Sequence, residues 1–153
     1  MSYSLDTSGF LDAWARHYPI DVFPTIWDRL DRAASSGVIC ASEEVLRELE
    51  KKDDAAHAWM KARPHMIISF DTEIETKVIA LLAQFPRLVD ERRGRSGGDP
   101  FVIAVALVRG LSVITGEVPT GRREAPKIPD VCKELNIPCI RILDFFRAQR
   151  WNL

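Results

Sequence analysis

Short apolar segments alternate with helix-patterned segments along the chain, and this alternation limits its fold most strongly. The β-prone segments read SYSL, VICA, MIISF, LSVIT and CIRIL. The intervening segments carry apolar residues at helical spacing. Apolar strands separated by helices are typical of a parallel sheet covered on both faces. We therefore predict an α/β fold, a three-layer α/β/α sandwich with a central, mainly parallel sheet of about four to five strands, in which MIISF is an extra edge strand.

Local signals set the bounds of the predicted helices. Ser42 and the TEIE segment at Thr72 are candidate N-terminal caps, and Gly110 is a candidate terminator. The 86–98 and 116–129 segments are basic and rich in glycine, so we predict loops there. The predicted helices span Thr7 through Arg16, Val22–Ser35, a segment after Ser42, Asp54–Ala62, Thr72–Gln84, Pro100–Arg109, Asp130–Leu135 and the DFFRAQRW segment.

Composition indicates an ordinary globular protein. A chain of 153 residues is long enough for one domain, which we predict to span residues 1–153. No apolar run reaches the roughly 18 residues of a membrane span, and the N-terminus lacks a signal-peptide pattern. We therefore expect a cytoplasmic protein. Three widely spaced cysteines form no zinc or disulfide pattern, and a net charge of −1 exerts no overall attraction for nucleic acid.

Four acids fall where this fold places its ligand sites, outside the carboxyl ends of the strands. Asp6 follows the first strand, Glu117 follows the LSVIT strand, and Asp99 begins a helix. Glu48 lies at the border of a helical apolar stripe and leans toward the end of VICA. Each has an ordinary alternative: Asp6 and Asp99 as helix caps, Glu48 in a surface ion pair with a nearby lysine, and Glu117 in solvent.

Clustered carboxylates repel one another and need compensation to remain ionised. Oxygen-rich acid clusters suit the hard cations Mg²⁺ and Mn²⁺. Such ions activate water and hold a phosphodiester for in-line displacement. A phosphatase on a similar scaffold would need a second aspartate after the first strand, and LDTSGF lacks it.

The segments YSLDTSGFL, EEVLRELE, GGDPFVIAVALVRG and VITGE, in this order, resemble the PIN domain superfamily. The layout is similar to that of VapC-type toxins, and the match covers nearly the whole chain. The closing IPDVCKELNIPCIRILDFF resembles a bacterial PIN-like subgroup long classed as a domain of unknown function. The pattern of Asp99 with Ala104 and Ala106 carries much of this resemblance.

The resemblance implies a Mg²⁺- or Mn²⁺-dependent endoribonuclease and assigns its acids. Asp6, Glu48 and Asp99 would be the core metal-binding residues, with Glu44 as the rival to Glu48. Glu117 would replace the aspartate usual at the fourth acidic position. The supporting residues would be Ser8 or Thr7 beside the first acid, Thr115, and Asp130, which is equally a helix cap.

The resemblance also implies partners. RNA would be the substrate, and its backbone would be held by Arg92, Arg93, Arg95, Arg122 and Arg123. A cognate antitoxin protein and a second copy of the chain are further implied partners, and a membrane is not. The competing hypothesis is an inactive PIN-like module that binds RNA or protein without cleaving. It is motivated by the acidic net charge and by the glutamate at position 117.

Overall fold

The structure is a computed structural model that describes residues 2–89 and 99–152. Its strands form one five-stranded sheet in the order β3-β2-β1-β4-β5, and every neighbouring pair is parallel. The strands are β1 (Tyr3–Leu5), β2 (Ile39–Ser42), β3 (Ile67–Ile68), β4 (Ser112–Ile114) and β5 (Cys139–Ile140). The predicted parallel α/β fold is confirmed, with the MIISF segment as an edge strand.

Helices connect these strands. The α-helices among the described residues are α1 (Thr7–Leu11), α2 (Pro24–Ser35), α3 (Glu43–Lys52), α4 (Asp54–Lys61), α5 (Thr72–Gln84), α6 (Asp99–Arg109), α7 (Ile128–Glu134) and α8 (Ile142–Ala148). A π-helix spans Asp12–His17, and a short 3₁₀ turn spans Pro64–Met66. None of the helices in the described part of the chain is long and apolar enough to cross a membrane.

The central strands are buried on both faces. All three residues of β1 and all three of β4 are buried, although successive side chains point to opposite faces of a sheet. Layers of helices on both sides are therefore required, as the apolar strand sequences predict. Cys40, Cys132 and Cys139 are free thiols, as the absence of a disulfide pattern predicts.

Several element boundaries differ from the predicted ones. The first helix does not continue as an α-helix to Arg16 but changes to a π-helix at Asp12. The second begins at Pro24 rather than Val22, because proline suits the first turn of a helix. The final strand stops at Ile140, and the remainder of the CIRIL segment starts α8.

Two predicted caps were wrong in detail. Asp71, not Thr72, caps α5, since its carboxylate accepts a hydrogen bond from Ile74 N at 2.8 Å. Ser42 holds the N-cap position of α3, but its hydroxyl makes no capping hydrogen bond. By contrast, Gly110 ends α6 as predicted, with a φ of 68° that favours glycine.

The carboxyl ends of the strands define one edge, which we call the carboxyl edge. Asp6 follows β1, Thr115 follows β4, Arg141 follows β5, and Ser42 ends β2. The register aligns Leu5 with Ile114, so the residues that follow β1 and β4 emerge side by side. The carboxyl edge therefore collects polar residues from distant parts of the sequence.

Candidate acidic site at the carboxyl edge

Asp6 is the buried centre of the candidate site. Its carboxylate accepts hydrogen bonds from the Ser8 hydroxyl and from Thr115 Oγ1, the latter at 2.9 Å. Its backbone N–H donates to Ile114 O at 2.8 Å, which ties it to the end of β4. Burial raises the pKa of Asp6 above its ordinary value, and the hydrogen bonds from Ser8 and Thr115 oppose that rise.

Two hydroxyls link Asp6 to the backbone after β4. Ser8 Oγ accepts from Gly116 N at 2.9 Å, and Thr115 Oγ1 accepts from Glu117 N at 3.1 Å. Each hydroxyl thus receives a backbone N–H and donates its own proton to Asp6. The arrangement fixes the orientation of the carboxylate, while the support of a metal site by Ser8 and Thr115 stays a prediction. Thr7 Oγ1, the alternative support, is buried with no hydrogen-bond partner among the described residues.

Asp99 is buried in the first turn of α6, which packs against β1, β2 and β4. A buried hydrogen bond from Ser4 Oγ to Val102 O, 3.0 Å long, joins this turn to β1 close to Asp6. The side chain of Asp99 is hydrogen-bonded to the carboxyl group of Glu117. This contact places the two carboxyl groups side by side at the carboxyl edge.

Glu117 joins the same group from the loop after β4. Its Oε2 accepts a hydrogen bond from Ile128 N, at the start of α7, at 2.9 Å. The pKa of Glu117 is raised, mainly by burial and next by the nearby charge of Asp6. The hydrogen bonds to Ile128 and Asp99 oppose this rise without cancelling it. The structure therefore brings together Asp6, Asp99 and Glu117 as an interacting set of acids.

Glu48 lies on α3, which packs against β2 and α1. Its carboxylate is 3.9 Å from Lys52 Nζ, which corresponds to the surface ion pair given above as the alternative to a metal-binding role. Its side chain is 13% exposed. Glu44, the rival acid, is more exposed at 24% and pairs with Arg47 at 2.8 Å. The more inward position of Glu48 agrees with the helix geometry, while its role at a metal stays a prediction.

No three His, Cys, Asp or Glu side chains within residues 2–89 and 99–152 form a group that could hold a metal ion as they stand. The buried Ser42 Oγ at this edge, like Thr7 Oγ1, has no hydrogen-bond partner among those residues. The carboxyl edge thus has neighbouring acids and two hydroxyls without hydrogen-bond partners, but its described side chains are not arranged as a complete set of metal ligands.

Asp130 organises the loop that carries Glu117. Its carboxylate accepts hydrogen bonds from Thr120 N at 3.0 Å, Gly121 N at 2.9 Å and Lys127 N at 2.8 Å. The last bond caps the start of α7, which begins at Ile128, two residues earlier than predicted. The structure thus shows the capping alternative for Asp130.

Replacing Asp130 by alanine should lower the free energy of unfolding by about 1–2 kcal/mol, because three backbone donors lose their acceptor. Thermal unfolding measures this as a drop in Tm of about 2–8 °C. Glu124→Ala is the matched control, since Glu124 is an exposed loop acid paired only loosely with Arg122, at 3.9 Å. Equal effects of the two substitutions would contradict the structural role of Asp130.

The effect of this substitution should depend on pH. Burial raises the pKa of Asp130, but the hydrogen bonds from Thr120, Lys127 and Gly121 outweigh it, and the net pKa is lowered. A lowered pKa in the folded state stabilises the protein above the unfolded value of about 3.9, and this stabilisation is lost as the pH falls through the folded value. The stability difference between Asp130→Ala and the parent should therefore be full at pH 7 and shrink below about pH 4.

Two residues of the predicted RNA-binding set, Arg122 and Arg123, lie in the described part of the chain. They border a cavity of about 780 Å³ beside the loop that carries Glu117. Arg123 pairs with Glu134 at 2.5 Å and lies 5.4 Å from the Phe85 ring centroid. Arg122 is largely exposed. The other three members of the set, Arg92, Arg93 and Arg95, lie outside the described residues.

The sequence interpretation missed Asp12. This aspartate is buried in the π-helix, and its carboxylate contacts Arg16 at 3.2 Å and Arg141 at 3.7 Å. A Cβ added to Gly116 would lie 2.2 Å from Asp12 Oδ2, so this oxygen borders the backbone that follows Thr115. The four-residue spacing to Arg16 was a visible pairing signal, but nothing in the sequence indicated contact with residues 116 or 141.

Comparison with solved structures supports the fold. One chain of the crystal structure of VapBC2 from Rickettsia felis bound to a DNA fragment from their promoter is 18% identical, with a TM-score of 0.54 over 91% of this chain and 97% of that one. One chain of a toxin–antitoxin complex from Klebsiella pneumoniae is 16% identical, with a TM-score of 0.48 over 76% of this chain and 87% of that one. The first likeness confirms the predicted PIN-like fold.

Among curated proteins, none matches this chain. The sequence model of a family described as "Domain of unknown function (DUF4411)" matches residues 3–153, nearly the whole chain. The chain therefore belongs to the DUF4411 family.

Proposed function

We propose that the chain is a Mg²⁺- or Mn²⁺-dependent endoribonuclease and the toxin of a toxin–antitoxin pair. The supporting observation is that Asp6, Asp99 and Glu117 converge at the carboxyl edge of a parallel sheet, where α/β proteins place their ligands. Mutual repulsion and burial disfavour ionisation of these acids, and such strained groups concentrate at functional sites.

The chemistry of the donors fits a hard divalent cation. The edge offers carboxylate and hydroxyl oxygens, including the unsatisfied hydroxyls of Thr7 and Ser42. Asp6, Glu48, Asp99 and Glu117 are the residues that would hold the ion. When bound, such an ion supplies an activated water and neutralises charge on a phosphodiester.

The chain's own residues have separate tasks in this proposal. The hydroxyls of Ser8 and Thr115 keep Asp6 in one orientation, so the site is pre-organised. Asp99 and Glu117 lie side by side at this edge, so both would supply carboxylate oxygens to the ion. Arg122 and Arg123 bind the RNA backbone at the neighbouring cavity.

Titration with Mn²⁺ tests the metal site without relying on activity. The ion should bind to the parent protein and raise its Tm, because binding to the folded state alone stabilises it. Glu117→Gln should reduce this stabilisation. The variant without metal should be at least as stable as the parent at pH 7, since a like charge is removed while an oxygen remains to accept from Ile128 N. Absence of binding at millimolar Mn²⁺ would contradict the proposal.

That outcome would favour the second candidate function, an inactive PIN-like module that binds RNA or protein. One observation favours it: Glu117 is already engaged by Ile128 N, and the described acids form no finished ligand group. RNA binding without cleavage in the presence of Mn²⁺ would distinguish this module from the nuclease.

An antitoxin partner is supported by the likeness to a chain of VapBC2. Expression of the chain alone should arrest growth, and co-expression of a short neighbouring reading frame should relieve the arrest and co-purify with the chain. A homodimer also remains a proposal, which light scattering of the purified protein tests.

A further inference from the structure

A second cavity, of about 350 Å³, opens beside the carboxyl edge and is lined by Asp12, Tyr18 and three polar residues of the α8 region, Arg141, Asp144 and Arg147, among others. We propose that it is a subsite for a phosphodiester group of the RNA chain, flanking the bond to be cleaved. This inference rests on the proposed nuclease function and adds binding residues that neither the sequence motifs nor the family assign.

The cavity adjoins the acidic site through the backbone after β4. Arg141 directly follows β5, and the carbonyl of Ile140 accepts a hydrogen bond from Thr115 N at 3.0 Å. The Asp12 carboxylate borders Gly116, the residue between Thr115 and Glu117. One short stretch of chain therefore separates the acids from the arginine-lined cavity.

Asp12 holds two arginines at this position. Its side chain is only 5% exposed, whereas those of Arg16 and Arg141 are 72% and 53% exposed. Within the described part of the chain, Arg16 contacts this carboxylate at 3.2 Å and Arg141 contacts it at 3.7 Å, although each guanidinium has five N–H donors. Donors therefore remain for a phosphate, the ligand that the planar guanidinium group binds best.

Three arginines lie in the cavity or directly beside it. Arg147 on α8 pairs with the exposed Asp144 at 3.1 Å and adds a third guanidinium. Arg141 and Arg147 line the cavity together with Asp12 and Asp144, and Arg16 lies beside it through its contact with Asp12. Exposed ion pairs of this kind contribute little to stability, so a phosphate that replaces the Asp144 carboxylate on Arg147 would cost the fold little.

The proposal is tested by RNA binding in an Asp99→Asn background with EDTA, so that cleavage does not consume the probe. Fluorescence anisotropy of a labelled single-stranded RNA is measured over a range of NaCl concentrations. Arg141→Gln should weaken binding by about five- to tenfold and should lower the slope of log K against log salt by about one phosphate contact. Arg141→Lys should retain part of the binding, because lysine keeps the positive charge but lacks the planar fork of donors.

Arg32→Gln is the matched control, since Arg32 is an exposed arginine beside a cavity at the opposite edge of the sheet, near Val38. Its affinity for RNA should equal that of the Asp99→Asn parent. Circular dichroism melting of each variant separates loss of contact from loss of fold.

The outcomes separate the subsite from the function. If the parent binds RNA and Arg141→Gln binds equally well, with an unchanged salt slope, the subsite is wrong while the nuclease proposal stands. If the Asp99→Asn parent binds no RNA, the subsite is also wrong. The nuclease proposal is then decided by a separate measurement, which is metal-dependent RNA cleavage by the wild-type chain.

Discussion

Replacement of Asp99 by asparagine should lower the rate of RNA cleavage by at least about 100-fold, because metal-assisted stabilisation of several kcal/mol is lost. The substitution keeps the size of the side chain but removes its negative charge and one oxygen that a cation could bind. The measurement is cleavage of end-labelled RNA with Mn²⁺, compared with the same reaction in EDTA, which should abolish activity of the parent.

Asp54→Asn provides a control matched in its place on a helix. Asp54 is the first residue of α4, just as Asp99 is the first residue of α6. Asp54 is exposed, whereas Asp99 is buried at the carboxyl edge. Both substitutions alter the first-turn charge of a helix, but only Asp99 belongs to the acid cluster. Activity that persists in Asp99→Asn, or in EDTA, would refute the metal-dependent nuclease.

Replacement of Gly116 by alanine should destabilise the protein by about 1–3 kcal/mol and disorganise the acidic site. The new Cβ would lie 2.2 Å from Asp12 Oδ2 and 3.0 Å from Ser8 O. The first contact involves a buried carboxylate paired with two arginines, and the second involves backbone. The displacement should therefore disturb the hydrogen bond from Gly116 N to Ser8 Oγ, and hence the orientation of Asp6.

A double-mutant cycle identifies the cause. Asp12→Ala removes the nearest atoms, so Gly116→Ala should cost less in that background than in the wild type, by an interaction free energy of about 1 kcal/mol. Urea unfolding of the four proteins gives this quantity. Additive effects would show that the close approach of Asp12 is not what excludes a side chain at position 116.

The placement of the acids shows how far local pattern extends. Asp6 and Glu117 were identified as edge residues because each follows an apolar strand, and parallel strands bring their carboxyl ends together. Helix geometry predicts the direction of the Glu48 side chain, and the resemblance implies its role, but neither gives its distance from another element. Its relation to the cluster accordingly stays a prediction.

The caps illustrate a different limit. Ser42 and Asp130 were both plausible caps by residue type, but only Asp130 forms the hydrogen bonds. The choice depends on side-chain rotation and on competing donors, such as Thr120 N, that come from outside the helix. Residue preference at a cap position does not contain that information.

The sequence by itself determined the order of strands and helices along the chain, the parallel sheet and the edge of the sheet at which the acids lie. It could do so because apolar periodicity and strand ends are local properties of the chain. Only the tertiary structure decided that Ser8 and Thr115, 107 residues apart, bind the same carboxylate, and that Asp12 meets Arg141 beside Gly116. These contacts follow from the register that aligns Leu5 with Ile114. Register is fixed by packing of the whole core, which no single segment encodes.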